Sequence, residues 1–399
     1  MALPPSLSFP VKRLIIVAVC LLALVSAPGA EENTETLTRA GYLVANSEGR
    51  ILHQLHSDEL YVPASTVKLL TAYLCLQHWG EQHRFATTFF FEQTSATLWV
   101  RAGGDPFIVS EEIELMADAL ASTGITSVNS IGLDASLFGK DLVVPGASTT
   151  DNPYDAIPTA IGANFNTINV MKKSGVVLSA ESQTSLTPIA MKIGEALQEG
   201  EKKRVNLGRS SARAERYFAE LLAWALRVRN VPVGNTVVWG NVPVSAPLYV
   251  HRNSRTLGEV IQGMLKYSTN FIANHLLLTL VAEKTSLPAN FARVQSYLSG
   301  ELTQRFGWSS FSLLEGAGLS PDNRLSAEQL VSVAQRFVPW KHLLPEIASG
   351  VVAKTGTLTD VKTLVGYVAA DQDQWHAFAV LVNQPVNPEV PLQIIQSLD

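Results

Sequence analysis

Val62-Pro63-Ala64-Ser65-Thr66-Val67-Lys68-Leu69-Leu70 is the stretch on which the reading of the whole chain turns. Val67, Leu70, Leu74, Cys75 and Leu76 continue from it at helical spacing. A proline just ahead and a serine at the start are signals of a helix N-terminus, so Ser65 is expected to head a helix. Residues three apart share a helix face with Cβ atoms about 5–6 Å apart, which puts the Lys68 amine within reach of the Ser65 hydroxyl. A serine is a weak nucleophile until a base accepts its proton, and a neutral lysine can serve. Free N–H groups at a helix start also suit a developing oxyanion. Taken alone, S-x-x-K is short enough to arise by chance in a chain of this length, and a surface lysine on a capped helix explains it equally well.

Two further elements change the weighing. Ser268-Thr269-Asn270 lies between two apolar helical segments, and Lys354-Thr355-Gly356 sits inside the strand-like run Val351 to Thr357. S-x-x-K, then S-x-N, then K-T-G is the signature set of penicillin-binding proteins and serine β-lactamases. A second cation near Lys68 would lower its pKa by like-charge repulsion and free it as a base. Lys354 is expected to polarise Ser268 and attract a substrate carboxylate, and Gly356 to leave room for an extended ligand along the strand. Ser127-Val128-Asn129 and Lys173-Ser174-Gly175 repeat the second and third patterns. Ser127 heads a strand-like run, whereas Ser268 stands at a helix–helix junction, so the 268/354 pair is preferred.

Several less generic stretches widen the match. Leu69-Leu70-Thr71-Ala72 follows the nucleophile, and Gly103-Gly104-Asp105-Pro106 makes a glycine-rich turn before a helix. Glu315-Gly316-Ala317-Gly318-Leu319-Ser320 precedes Asn323-Arg324-Leu325-Ser326, and Lys354-Thr355-Gly356-Thr357-Leu358 precedes Gly366-Tyr367. With these, the mature chain resembles the low-molecular-mass class C penicillin-binding proteins, which are D-alanyl-D-alanine carboxypeptidases. Glu315 and Ala317 stand where that family has Asp and Ser, and Pro321 where a basic residue is usual.

The resemblance implies an α+β fold of the penicillin-binding-protein/serine β-lactamase type, an antiparallel sheet with packed helices. It implies acylation of Ser65 by peptidoglycan stem peptides and by β-lactams, with Lys68 as base. The oxyanion would rest on the N–H groups of Ser65 and Thr357. Ser268 would relay a proton to the leaving amine, and Asn270 would bind the peptide. Lys354, Thr355, Gly356 and Thr357 would line the substrate strand, Lys354 and Thr355 holding its terminal carboxylate. Cross-links would be cleaved by the same route, as an endopeptidase. No metal or organic cofactor is implied.

Composition bounds the rest. The 399 residues are 47% hydrophobic and 16% charged with net charge −5, which disfavours nucleic-acid partners because phosphate binding needs a basic face. Lys12 and Arg13 precede the uncharged run Leu14 to Ala27, as in a secretory signal peptide. Fourteen residues span about 21 Å as a helix, short of a ~30 Å bilayer core, so a membrane anchor is the weaker reading. Membrane contact is expected only through this segment if it stays uncleaved, and the chain is expected in the bacterial periplasm or cell envelope. Removing residues 1–30 leaves Cys75 as the single cysteine, read as a small buried hydrophobe. The eight histidines show neither H-E-x-x-H spacing nor a nearby cysteine pair, and a G-x-S-x-G elbow is absent.

Two strand-like runs (41–45 and 50–53), helices near 257–266, 271–283 and 327–337, and three C-terminal strands suggest one antiparallel sheet packed by helices. Residues 87–249 read as one inserted α+β domain, with 31–86 plus 250–399 as the peptidase domain and 139–210 as loop-rich. Two other readings stay open. A serine β-lactamase shares the nucleophile, although the E-x-x-L-N segment of class A enzymes is not found. A non-catalytic peptidoglycan-binding envelope protein could share the fold, but it has no need of this proton-transfer set.

Overall fold

The computed structural model describes residues 37–370 and 374–398, so the expected signal segment lies outside the described residues. Residues Leu37–Asp399 cluster as one compact unit. Its principal sheet has six strands in the order Glu346–Ala348, Val351–Leu358, Val361–Ala369, Trp375–Val382, Ala40–Ala45, Ile51–Leu55. All neighbouring pairs are antiparallel.

Strand periodicity explains how this sheet holds two cores. In Trp375–Val382, Ala377, Ala379 and Leu381 face the large core, while Phe378, Val380 and Val382 face a smaller one closed by Ile395 of the helix Val390–Gln396. In Val361–Ala369, Val365 and Tyr367 go to the first side and Leu364 and Val368 to the second. A strand covered on both faces reads as a continuous apolar run, as these do. Helix Ala327–Phe337 covers the large-core side of the same sheet.

Behind it lie two helices that are apolar nearly all round, Val67–Trp79 and Asn270–Thr285. Ten consecutive residues of the first, Val67 to Leu76, are buried, which marks a central helix rather than a surface one. Cys75 is among them, as expected. The start differs in detail from expectation: Ala64–Thr66 is a short 3-10 turn, and the α-helix begins at Val67. Helix Leu257–Tyr267 opens with a capping box between Thr256 and Glu259 and ends at Ser268 in the left-handed conformation (φ 56°). That reversal breaks the chain between two helices and brings Asn270 to the head of the next. Helix Phe291–Phe306, missing from the sequence reading, completes the bundle.

Residues between these parts build a five-stranded sheet in the order Tyr249–Arg252, Ala86–Glu92, Thr97–Arg101, Val128–Asp134, Val233–Trp239. Its last two pairings are parallel. Helices Ser110–Ala121 and Ser211–Val228 pack on it around a core of their own. Ile113, Met116, Ala117 and Leu120 are all buried there, as their spacing predicts. The segment read as loop-rich holds more structure than expected: a three-stranded sheet (Val176–Ser179, Thr167–Lys173, Lys202–Asn206) and helix Pro188–Glu195. Strand Tyr249–Arg252 pairs residue by residue with Phe89 back to Ala86, so it runs through the expected boundary at 249/250. No helix of the described residues is long and apolar enough to cross a membrane.

Candidate active site

Ser65 and Lys68 meet as the spacing predicts. The Lys68 ammonium donates to Ser65 Oγ at 2.9 Å, to Asn270 Oδ1 at 2.8 Å and to the Ala317 carbonyl at 2.6 Å. Lys68 is fully buried while Ser65 is half-buried, so the hydroxyl is open on one side and the amine is not. Burial pushes the Lys68 amine down to about 7, with repulsion from Lys354 adding to the shift and the Glu315 carboxylate opposing it. Burial also lowers Lys354, to about 8. The expected cause of the Lys68 shift, the second lysine, therefore ranks behind desolvation.

Lys354 departs from expectation in its contact. Its Nζ donates to the Thr355 carbonyl at 2.7 Å, and among the described residues it makes no hydrogen bond to Ser268. Gly356 has a close approach that the sequence reading did not foresee. A Cβ there would stand 2.1 Å from Thr363 Oγ1, 2.9 Å from Ser65 N and 3.0 Å from the Pro63 carbonyl. The missing side chain makes room for the protein's own Ser65 turn, which Thr363 also ties down by donating to Pro63 O at 2.8 Å.

The strand edge beside Ser65 is open. Glu346–Ala348 pairs only with Val351 and Val352, leaving Thr355 to Leu358 without an outer neighbour. Ala353 N–H donates outward to the Pro345 carbonyl at 3.0 Å. Alternation along a strand therefore aims the N–H groups of Thr355 and Thr357 toward the same free edge. Thr355 and Thr357 are exposed while Lys354 and Gly356 are buried.

The opposite wall is Ser268 to Asn270. The Asn270 side chain bridges the two halves of the molecule, accepting from Lys68 and donating to the Tyr154 carbonyl at 3.4 Å. A cleft of about 1210 Å³ opens next to it, lined by Tyr154, Phe165, Tyr267, Ser268, Asn270 and Phe271 among others.

The D-Ala-D-Ala carboxypeptidase 3 (S13) family matches residues 31–193, 191–345 and 343–399 of this sequence. The chain belongs to that family. It is 24% identical over 447 residues to a D-alanyl-D-alanine carboxypeptidase of Actinomadura sp. (strain R39), across 88% of this chain and 78% of that one. It is 22% identical over 413 residues to the D-alanyl-D-alanine carboxypeptidase DacB of Haemophilus influenzae, across 87% and 85%. Among solved structures it is similar to penicillin binding protein 4 from Haemophilus influenzae, with TM-score 0.70, 19% identity and coverage of 90% and 96%. A predatory peptidoglycan endopeptidase from Bdellovibrio bacteriovorus has TM-score 0.52, 16% identity and coverage of 91% of both chains. The expected fold is the observed one, and membership makes the protein a hydrolase, a serine-type D-Ala-D-Ala peptidase.

Of the peptidase's expected site residues, the structure brings Ser65, Lys68 and Asn270 into direct hydrogen bonding and sets Gly356 against the Ser65 turn. Ser268 stands at the helix break one wall away. The decoys sit elsewhere: Ser174 and Gly175 form the turn between Thr167–Lys173 and Val176–Ser179, and Asn129 lies on the strand Val128–Asp134. Two contacts at residues already noted in the sequence escaped that reading. The Ala317 carbonyl holds Lys68, and the buried Glu315 carboxylate shapes the loop that presents it. Glu315 accepts from Ala317 N at 2.7 Å, Leu319 N at 2.8 Å and Asn323 Nδ2 at 2.8 Å. An acid inside a glycine-rich run was the available signal, since such a run offers free N–H groups.

Proposed function

We propose that Ser65 is the acylated nucleophile of a D-Ala-D-Ala carboxypeptidase and that Lys68 is its base. The observation that carries this is a fully buried lysine, lowered to about 7, within 2.9 Å of a half-buried serine hydroxyl. Near neutral pH a substantial fraction of Lys68 is uncharged and able to accept the Ser65 proton. Ser65 Oγ attacks the carbonyl of the penultimate D-Ala, and the oxyanion rests between the N–H groups of Ser65 and Thr357. The stem peptide lies along the open edge at Thr355 to Leu358, with its terminal carboxylate near Lys354 and Thr355. Ser268 passes the proton to the leaving D-Ala amine, Asn270 orients Lys68 and the peptide, and water releases the acyl group. Benzylpenicillin enters by the same attack and stops at the acyl-enzyme.

A cleft of about 1210 Å³ beside Asn270 is larger than a dipeptide terminus needs, which favours endopeptidase action on cross-linked stems as a second activity of the site. We place the protein in the bacterial periplasm or cell envelope, exported by residues 1–30. The accessory domain is assigned to 87–249, extended to the strand ends at 86 and 252, on the strength of its separate apolar core.

The test is D-Ala release from a soluble acyl-D-Ala-D-Ala tripeptide. Lys68→Arg keeps the charge but cannot supply a neutral base. Release is expected to fall by at least about 10³-fold; a variant working at the wild-type rate would remove Lys68 from the role.

A further inference from the structure

At the far edge of the five-stranded sheet, a groove of about 550 Å³ is lined by Ile189, Lys192, Ala212, Arg213, Arg216 and Trp239. Four strand spacings, about 19 Å, separate its strand Val233–Trp239 from Tyr249–Arg252, which leads into the peptidase core. None of its lining residues belongs to the cleft beside Asn270. In a chain of net charge −5, three cations, Lys192, Arg213 and Arg216, line the groove. Among the described residues none of the three has a carboxylate within 4 Å, whereas Arg204, Arg229, Arg255 and Arg305 do.

The aromatic wall is fixed in place. Trp239 is 38% exposed, and its indole N–H donates to the buried Glu215 carboxylate at 2.7 Å. The Arg216 guanidinium lies 5.6 Å from the indole ring centre, which holds one donor fork beside the ring. A rigid indole next to unpaired guanidinium and ammonium groups suits a ligand that joins carboxylates to apolar ring or chain surface. Arg213 also stands in the first turn of helix Ser211–Val228, where the helix end adds positive potential.

We propose that this groove is a second attachment site for peptidoglycan, binding the carboxylates of stem peptides away from the bond being cut. The proposal rests on the peptidase reading, because that reading supplies the polymer. It deepens it by separating attachment from cleavage. Engagement at two points on one insoluble polymer raises the local concentration of scissile ends without altering the active site.

The experiment compares wild type with the R213E/R216E double variant of the full chain. Acidic residues are favoured in the first turn of a helix. R213E also supplies the carboxylate that completes a capping box with Ser210, whose hydroxyl already accepts from the N–H of residue 213. Arg216 is partly exposed and among the described residues its side chain makes no hydrogen bond or ion pair that R216E would break, so the double variant is expected to fold. Co-sedimentation with purified sacculi is expected to weaken roughly tenfold, and D-Ala release from sacculi to fall in parallel. Release from the soluble tripeptide and acylation by benzylpenicillin should match wild type. Wild type on sacculi whose carboxylates have been amidated should bind no better than the variant. Unchanged sedimentation of the variant, full binding to amidated sacculi, or an equal loss on the tripeptide would each overturn the proposal. Failure of wild type to turn over the tripeptide or to be acylated would count against the peptidase reading instead, and sacculus binding would still decide the groove.

Discussion

At the residue scale, two buried lysines decide the chemistry. In the proposed mechanism Lys68 must be neutral to accept a proton, whereas Lys354 must stay charged to draw a carboxylate. With Lys68 near 7 and Lys354 near 8, the rate of acylation by benzylpenicillin should rise with pH through about 7 and fall above about 8. Glu315 holds the Lys68 amine up, so Glu315→Gln should move the rising limb to lower pH. A limb that moves upward would separate Glu315 from Lys68. The same variant replaces an acceptor of three main-chain and one amide N–H bonds with one that has a single carbonyl oxygen, and should cost about 2 kcal/mol in a urea melt. The Ser–Lys pair was legible because residues three apart share a face of a helical turn, here the 3-10 turn that runs into the helix, and because two further motifs pointed to it. The Ala317 carbonyl was not, because a main-chain acceptor leaves no mark in residue type.

At the scale of elements, the site is a meeting of three chain segments with almost no slack. Gly318, at φ 78°, comes so close to the Ser65 turn that a Cβ would lie 1.8 Å from the Ala64 carbonyl. Gly318→Ala should therefore destabilise the protein by at least about 2 kcal/mol and slow acylation of Ser65 together with it. Intact acylation with unchanged stability would show that the loop moves freely. The strands and helices with strong periodicity were readable, as in Trp375–Val382, where alternate residues face two different cores. The three-stranded sheet at 167–206 was not. Thr167–Lys173 ends, and Lys202–Asn206 begins, in polar, partly exposed residues, and their pairing across about thirty intervening residues is a tertiary choice that local pattern does not encode.

At the scale of the molecule, the segment proposed as an insertion also packs against the elements that carry the site. Phe138, Leu142, Val144, Ile157 and Ala160 join the large core, Thr159 O accepts from buried His275 at 3.0 Å, and Tyr154 O accepts from Asn270. Composition and periodicity change near Arg84, which separates the two parts in the sequence, but neither signal reveals side chains that cross between them. Cys75, fully buried on the central helix with its thiol pushed up by burial, reports on this shared core. Thiol labelling should be negligible in the native protein and should appear only with global unfolding, at the same urea midpoint as loss of helical signal. Rapid labelling under native conditions would mean that helix Val67–Trp79 opens independently.

The central claim is that Ser65 forms a lasting acyl-enzyme. Intact mass before and after incubation with benzylpenicillin, with Ser65→Ala alongside, tests it most directly. The account predicts one drug molecule added to the wild type and none to the variant. An adduct that persists in Ser65→Ala, or an unmodified wild type facing unhydrolysed drug, would contradict it.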